Sequence, residues 1–175
     1  MSGRVSRDAG QRGRGEGTRV QLPLLDRLMD DEPDRERDAP LSAGEAMALL
    51  RRAVRRDLEA LLNARRRWRS WPAELGELKQ SPVGFGIPDF TSGAFVDPAR
   101  REALRADIED TIRRFEPRFA SVSVALIQSD NPLDTTLRLR IDALLHADPA
   151  PEPVAFDTLV DSTTADVFVR ARDNA

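Results

Sequence analysis

The sequence is poor in the side chains on which most enzymes rely. It has no cysteine and no tyrosine, and His146 is its only histidine. Without cysteine there is no disulfide framework and no thiolate chemistry, and a zinc site of the familiar His and Cys type is excluded. His146 stands beside the proline-rich stretch 146–153, which is a poor place for the base of a catalytic triad. We therefore predict no catalytic residue, no metal site and no cofactor.

Phosphate-binding glycine loops and long apolar runs are missing as well. The run GFG at 84–86 is too short for a phosphate loop. No apolar run approaches the roughly 20 residues of a membrane span, and residues 1–21 lack the apolar core of a signal peptide. We expect no direct membrane insertion and a cytoplasmic location.

Charge is abundant, at 33% of residues, but the two signs are segregated along the chain. Residues 1–19 carry five arginines against two acids, residues 26–38 seven acids against three arginines, and residues 51–69 eight arginines against two acids. Alternating blocks of charge indicate an assembly with charged partners. Solvated helix faces would give the same pattern.

The chain divides into a tail, a short connecting region and one domain. Residues 1–19 are rich in Gly and Arg, which predicts a disordered leader. Residues 20–40 hold a short apolar helix, with Leu24, Leu25 and Leu28 on one face, followed by an acidic loop. Either this helix packs back on the domain or it docks in a groove of a partner. Residues 41–175 form the single domain.

Two long helices are indicated by their caps and periodicity. Ser42 with Glu45 forms a capping box for a helix that runs to about Asn63. Asp97 and Pro98 begin a second helix. That helix should end at about Phe115, because a residue that precedes proline is pushed out of helical geometry.

Alternation with a period of two then predicts strands at about 121–126, 137–145, 154–158 and 165–169. The fold class is α+β: a small, mostly antiparallel sheet of three to four strands, covered on one face by the two main helices. Residues 72–97 read as irregular, with four apolar residues expected at the edge of the core: Val83, Phe85, Ile87 and Phe90.

The corner between the second helix and the first strand carries the run Glu116-Pro117-Arg118. We expect neither charge to be needed for packing, so the pair is either an internal clamp or a docking point. A two-carboxylate hydrolase would use Glu116 as the acid, with Asp110 or Asp89 as its partner. A nearby cation lowers the pKa of a carboxyl group, which is wrong for a general acid and favours the ion pair.

Arginines 65, 66 and 67 and the neighbouring Trp68 form a dense basic patch. Basic and aromatic residues together are typical of single-stranded nucleic-acid binding. The overall pI of about 5.3 and the lack of a binding motif argue against it. We predict no nucleic acid, and an acidic protein surface as the partner of Arg65, Arg66 and Arg67.

Four segments occur in an order that resembles the TssE family, the baseplate subunit of type VI secretion systems. They are LPLLDRL at 22–28, LEALLNARR at 58–66, SPVGFGIPDF at 81–90 and FEPR at 115–118. TssE is similar to the wedge protein of phage contractile-tail baseplates that was once labelled a lysozyme. The resemblance covers about residues 22–170, and residues 1–19 have no counterpart.

The resemblance implies a structural, non-enzymatic role in a large hetero-oligomeric assembly at a baseplate docked on the inner membrane complex. The partners it implies are the wedge proteins TssF, TssG and TssK and the sheath proteins TssB and TssC. Glu116, Pro117 and Arg118 would dock on the wedge, helped by Arg65, Arg66 and Arg67. An exposed edge of the sheet would accept a strand of the sheath.

The alternatives are the equivalent subunit of a phage tail or extracellular injector, and a lysozyme-type peptidoglycan hydrolase. On the docking interpretation, replacing Glu116 or Arg118 by Ala leaves the fold largely intact and stops assembly.

Overall fold

The structure is a computed structural model that describes residues 23–29, 34, 41–66, 72–90, 97–127, 136–147, 150–161 and 164–172. The predicted leader 1–19, most of the acidic loop, Arg67 and Trp68 lie outside the described residues. Within the described part, no helix combines the length and the hydropathy needed to cross a membrane.

The described residues form three α-helices. They are α1 (Leu24–Leu28), α2 (Ala43–Asn63) and α3 (Pro98–Phe115). At the start of α2 the Ser42 hydroxyl accepts from the Glu45 amide, and the Glu45 carboxylate accepts from the Ser42 amide at 2.9 Å. The Asp97 side chain accepts from the Ala99 amide at 2.9 Å. The predicted capping box and N-cap are confirmed.

The segment between α2 and α3 is more regular than predicted. Strands β1 (Arg65–Arg66) and β2 (Ile87–Pro88) pair in parallel, and two 3₁₀ helices, Ala73–Gln80 and Pro82–Gly84, lie between them. Ile87 and Phe90 are buried as expected, but Val83 and Phe85 are 50% and 40% exposed. Phe85 instead packs edge-on against Phe115, with ring centroids 5.4 Å apart.

A four-stranded antiparallel sheet forms the second half of the domain, which confirms the α+β class. Its strands are β3 (Phe119–Ile127), β4 (Leu137–Leu145), β5 (Glu152–Val160) and β6 (Val167–Arg172), paired in that order. The prediction that the last strand starts at Ala165 is wrong. Ala165 has φ +61°, so it belongs to the turn before β6.

Helices α2 and α3 cover one face of this sheet and bury the core between them. Helix α2 packs mainly along β6, and α3 mainly along β3. Alternate residues of each strand point toward the helices and are mostly buried. The residues between them lie on the opposite side of the sheet. The largest fully buried side chains are Val54, Leu58, Leu62, Ile87, Ile108, Ile112, Leu139, Ile141, Leu145, Phe156, Val160 and Val167.

The opposite side of the sheet, called here the open face, carries charged and apolar side chains that no described helix covers. They follow the alternate positions of the four strands. The larger ones are Arg138, Arg140, Asp142, Leu144, Asp157, Leu159, Phe168, Arg170 and Arg172. Phe168 is 51% exposed and Leu144 39%.

Gly86 lets the segment before β2 approach the end of α2. Its φ is +98°, and a Cβ there would lie 2.4 Å from the Ala64 carbonyl oxygen, which also accepts from the Ile87 amide at 3.1 Å. The position therefore demands glycine for both conformation and space.

Gly86→Ala is expected to lower the free energy of unfolding by roughly 2–4 kcal/mol, because it adds strain and displaces the β1–β2 pair. Gly44→Ala is the matched control. Gly44 lies in the first turn of α2 with nothing near its added Cβ, so this change should raise stability by up to about 1 kcal/mol. Denaturant unfolding measures the stability of both variants. Equal changes in the free energy of unfolding would contradict the requirement for glycine at position 86.

Candidate functional site

The chain turns sharply between α3 and β3, as the sequence predicts. The Glu116 amide closes the helix by donating to the Ile112 carbonyl at 2.9 Å. The Phe119 amide donates back to the Glu116 carbonyl at 3.2 Å and starts β3. Pro117 is exposed at the tip of this turn. The expected end of the helix at Phe115 is confirmed.

The carboxylate of Glu116 points into the protein. Glu116 is only 4% exposed. Its Oε1 accepts from the Arg118 Nε at 2.5 Å and from the Arg118 amide at 3.3 Å, and its Oε2 contacts the Arg118 Nη2. The expectation that neither charge takes part in packing is therefore corrected. A buried carboxylate needs such partners, because an unpaired one would be strongly destabilising.

The corner is the end of a longer chain of ion pairs. The Arg118 Nη2 also lies 2.8 Å from Asp57 of α2, and the other Asp57 oxygen lies 3.0 Å from the Arg56 Nε. Arg56 in turn holds Asp26 of α1 through two hydrogen bonds of 2.8 and 3.1 Å. Alternating charges thus connect α1, α2 and the corner without a gap.

The pKa directions agree with this pairing. The hydrogen bonds from Arg56 hold the pKa of Asp26 below its ordinary value of 3.8. Burial lowers the pKa of Arg118, but the hydrogen bonds and charges of Glu116 and Asp57 outweigh it, so the pKa of Arg118 is raised. Both groups are therefore charged at neutral pH.

Helix α1 turns its leucines away from the domain. Asp26 faces Arg56, whereas Leu24, Leu25 and Leu28 are 68%, 56% and 72% exposed. Of the two possibilities left open by the sequence, the structure shows no packing of this apolar side onto the described core. These three leucines therefore form an exposed apolar cluster on α1.

The predicted basic patch is largely turned inward. Arg65 donates to the Leu62 carbonyl at 2.8 Å, contacts the Ala165 carbonyl and lies 4.9 Å over the Phe90 ring. Burial lowers the pKa of Arg65. Arg66 is 9% exposed, so neither forms the open patch that the sequence suggested. Arg67 lies outside the described residues, and its role stays a prediction.

Both outer strands of the sheet are capped by side chains from the helix beside them. On β6 the Asn63 amide group bonds both the N–H and the C=O of Val167, at 2.9 and 2.8 Å. On β3 the Val124 C=O accepts from Arg105 at 3.0 Å, and its N–H donates to Glu109 at 3.2 Å. The expected exposed edge is thus partly closed.

Sequence reasoning missed these caps. Asn63 ends α2 inside the segment LEALLNARR. That segment carried the resemblance, but Asn63 itself had no assigned role. Asparagine is common at the C-terminal ends of helices. The local sequence therefore does not indicate a hydrogen bond to a residue 104 positions away. Among the described residues there is also no cluster of His, Asp or Glu suited to a metal ion.

Glu116→Ala is expected to lower the free energy of unfolding by roughly 2–4 kcal/mol, because Arg118 would lose most of its acceptors. This replaces the expectation of an intact fold. Glu152→Ala is the control, since its ion pair with Arg51 is exposed on both sides, at 37% and 48%. This change should lower the free energy of unfolding by no more than about 0.5 kcal/mol. A similar decrease for both variants, measured by thermal or chemical unfolding, would contradict the role of Glu116 as an internal ion-pair partner of Arg118.

The attachment of α1 should depend on pH. Because the folded pKa of Asp26 lies below 3.8, its pairing stabilises the docked helix above that pH and is lost as the pH falls through the lowered value. The amide resonances of α1 should therefore shift toward those of a free peptide below about pH 3.8. In Asp26→Asn the helix should already be free at neutral pH; an α1 that stays docked in that variant would exclude the ion pair as its anchor.

Residues 48–150 match the family of the baseplate wedge protein gp25. The matched stretch begins in α2, runs through the corner and ends between β4 and β5, so it includes Asp57, Asn63, Glu116 and Arg118. No curated protein matches the chain.

Proposed function

Since the chain belongs to the family of baseplate wedge protein gp25, which includes TssE, we propose that it is the TssE-type subunit of a type VI secretion baseplate. It is a structural protein of the baseplate-wedge kind. In the proposal it works in the cytoplasm, at a baseplate docked on the inner membrane complex. It binds the wedge proteins TssF, TssG and TssK, and it helps to start the sheath of TssB and TssC.

The observation that carries the docking part is the ion-pair chain from Asp26 to Glu116. It fixes an exposed proline, Pro117, and a partly exposed guanidinium, Arg118, at a corner that cannot flex freely. Through Arg56 it also holds α1 close to this corner with its leucines outward. A rigid polar corner beside an apolar helix gives an anchor and an orientation to one partner surface.

This arrangement refines the predicted roles of the corner residues. Pro117 and Arg118 are the accessible members, and Glu116 acts by holding Arg118 in place. Arg65, which contacts the Ala165 carbonyl before β6, and Arg66, which is 9% exposed, support the fold rather than the docking surface.

We propose no catalytic activity. Glu116, the best candidate for a general acid, is fully engaged with a cation and is not open to a substrate. A general acid must reach the substrate with its oxygen, whereas both carboxylate oxygens of Glu116 contact Arg118. Clearing of a cell-wall suspension by the purified chain would contradict this part of the proposal.

The equivalent subunit of a phage tail is the second candidate, because the matching family is named for a baseplate wedge protein. In either assembly the proposed subunit would provide a docking corner and a sheet at the base of a sheath. The partner that co-purifies separates them.

The docking surface is tested by co-expressing the full chain with TssF, TssG and TssK. We expect Leu24→Ser, Leu25→Ser and Leu28→Ser together to reduce recovery of the wedge complex at least tenfold, since roughly 1.4 kcal/mol of lost apolar contact is enough. The fold should not change, because these side chains are exposed.

Leu75→Ser is the control, since Leu75 is an equally exposed leucine (50%) that belongs to the 3₁₀ helix Ala73–Gln80 and not to α1. It should bind like the wild type. Equal recovery of wild type and triple variant would remove α1 from the docking surface, and no recovery of the wild type would contradict the secretion-system assignment.

A further inference from the structure

The outer strand β6 is shorter than its neighbour β5. Arg172, the last residue of β6, pairs with Ala155, so residues 152–154 of β5 extend past the end of β6. Beside this stretch Arg51 of α2 contacts Glu152. A notch therefore opens at the end of β6, between α2 and β5, and it holds a cavity of about 350 Å³.

The floor of this notch is apolar. Val154 and Phe156 of β5 point toward the helices, at 8% and 1% exposure, and Ala171 of β6 lies on the same side. Cavities that bind ligands in proteins measure roughly 300–1,000 Å³ and combine an apolar lining with a few polar groups. The notch is large enough for one apolar side chain and the group next to it.

The rim of the notch carries an excess of positive charge. Arg51 and Glu152 contact each other, so their charges largely cancel. Arg172 is exposed on the other side of the cavity and has no ion-pair partner among the described residues. Two arginines against one glutamate leave one positive charge, which favours a carboxylate in the notch over an ammonium group.

The notch suits a side chain better than an added strand. The Asp161 amide donates to the Asp166 carbonyl at 2.9 Å, so every second residue from Asp161 back to Pro153 turns its backbone toward the side of β6. Pro153 has no N–H to donate. Beyond Arg172, β5 therefore offers a carbonyl at Pro153 but no amide, and a ladder of paired hydrogen bonds cannot continue there.

The notch and the docking corner lie at the same end of the sheet. Phe119, the first residue of β3, pairs with Leu145, and Leu145 pairs with Glu152. The corner and the notch are thus separated by two strand spacings, or roughly 10 Å. One partner surface can cover both.

We propose that the notch is a second contact site for the protein that docks on the corner. It takes an apolar side chain, which lies against Val154, Phe156 and Ala171, together with the carboxylate of the adjacent residue, which binds Arg172. The identity of the partner rests on the proposed function, whereas the chemistry of the notch does not.

Titration of the full chain with a defined peptide, followed by nuclear magnetic resonance, tests the chemistry of the notch. The probe is the blocked peptide Gly-Leu-Glu-Gly, and its controls are Gly-Leu-Lys-Gly and Gly-Gly-Glu-Gly. We expect the amide resonances of Val154 and Ala171 to shift. Each control should bind at least about threefold more weakly than the probe, since it lacks the carboxylate or the apolar side chain.

Substitutions in the notch should change binding of the probe in opposite directions. Ala171→Phe fills the cavity from an exposed position and should weaken binding at least about tenfold. Arg172→Ala should weaken it about two- to fivefold, and Glu152→Ala, which frees Arg51, should tighten it by a similar factor. Arg170→Ala is the matched control, because Arg170 is an exposed arginine of the same strand outside the notch. It should leave binding unchanged.

Several results of the titration would overturn the site. New protection of the Val169 amide from hydrogen exchange would show that the peptide pairs along β6 instead. Absence of binding to the wild type would exclude the chemistry. Binding at least tenfold tighter after removal of residues 173–175 would make the chain's own end the occupant, and a dimer that Ala171→Phe abolishes would make it a second copy.

Co-expression with the wedge proteins tests the partner. Ala171→Phe should reduce recovery of the wedge complex at least about threefold, while Arg170→Ala should not. Unchanged recovery with Ala171→Phe would overturn the contact between this partner and the notch. If the wild type recovers no wedge complex but still binds the peptide as expected, the proposed function fails and the site in the notch stands.

Discussion

The buried carboxylate of Glu116 is the group on which the corner depends. A carboxylate at 4% exposure is tolerated only because Arg118 surrounds it with three hydrogen-bonding contacts. Arg118 is shared with Asp57, Asp57 with Arg56, and Arg56 with Asp26. The direction of α1, the packing of α2 and the turn into β3 are thus coupled by one set of charges.

The two long helices bury the core and also cover the edges of the sheet. A four-stranded sheet that is not closed has two unpaired edges, and an unpaired edge invites association with other chains. Here α2 and α3 lie along the two outer strands and send polar side chains over Val167 and Val124. The same arrangement that forms the core therefore guards the edges. On each edge one of the guards is an arginine that is paired with a glutamate four residues further along its helix: Arg55 with Glu59 beside β6 and Arg105 with Glu109 beside β3.

Local chemistry made much of the fold predictable. The caps at Ser42 and Asp97, the stop at Phe115 and the alternation of β4 depend on neighbours within a few residues, and the structure has each of them. The first residue of β6 was misjudged because Ala165 looks like a strand residue but takes a left-handed turn conformation. Val83 and Phe85 looked like core residues, yet they are 50% and 40% exposed. Apolar character alone does not say which way a side chain in an irregular segment points.

The candidate site was harder to predict, because its contacts join distant parts of the chain. Arg118 meets Asp57 across 61 positions and Asn63 meets Val167 across 104. Periodicity and caps carry no signal over such separations. The sequence located the corner and the segment LEALLNARR but assigned the arginines of both to an exterior surface. The structure instead uses Arg65 inside and leaves Arg118 at the boundary.

The paired charges of the corner suit the proposed docking role. The docking corner is rigid before any partner arrives, since its charges are already paired, so little conformational entropy is lost on binding there. The outer strands are guarded at Val167 and Val169 on β6 and at Val124 on β3, which hinders free copies from pairing through these edges.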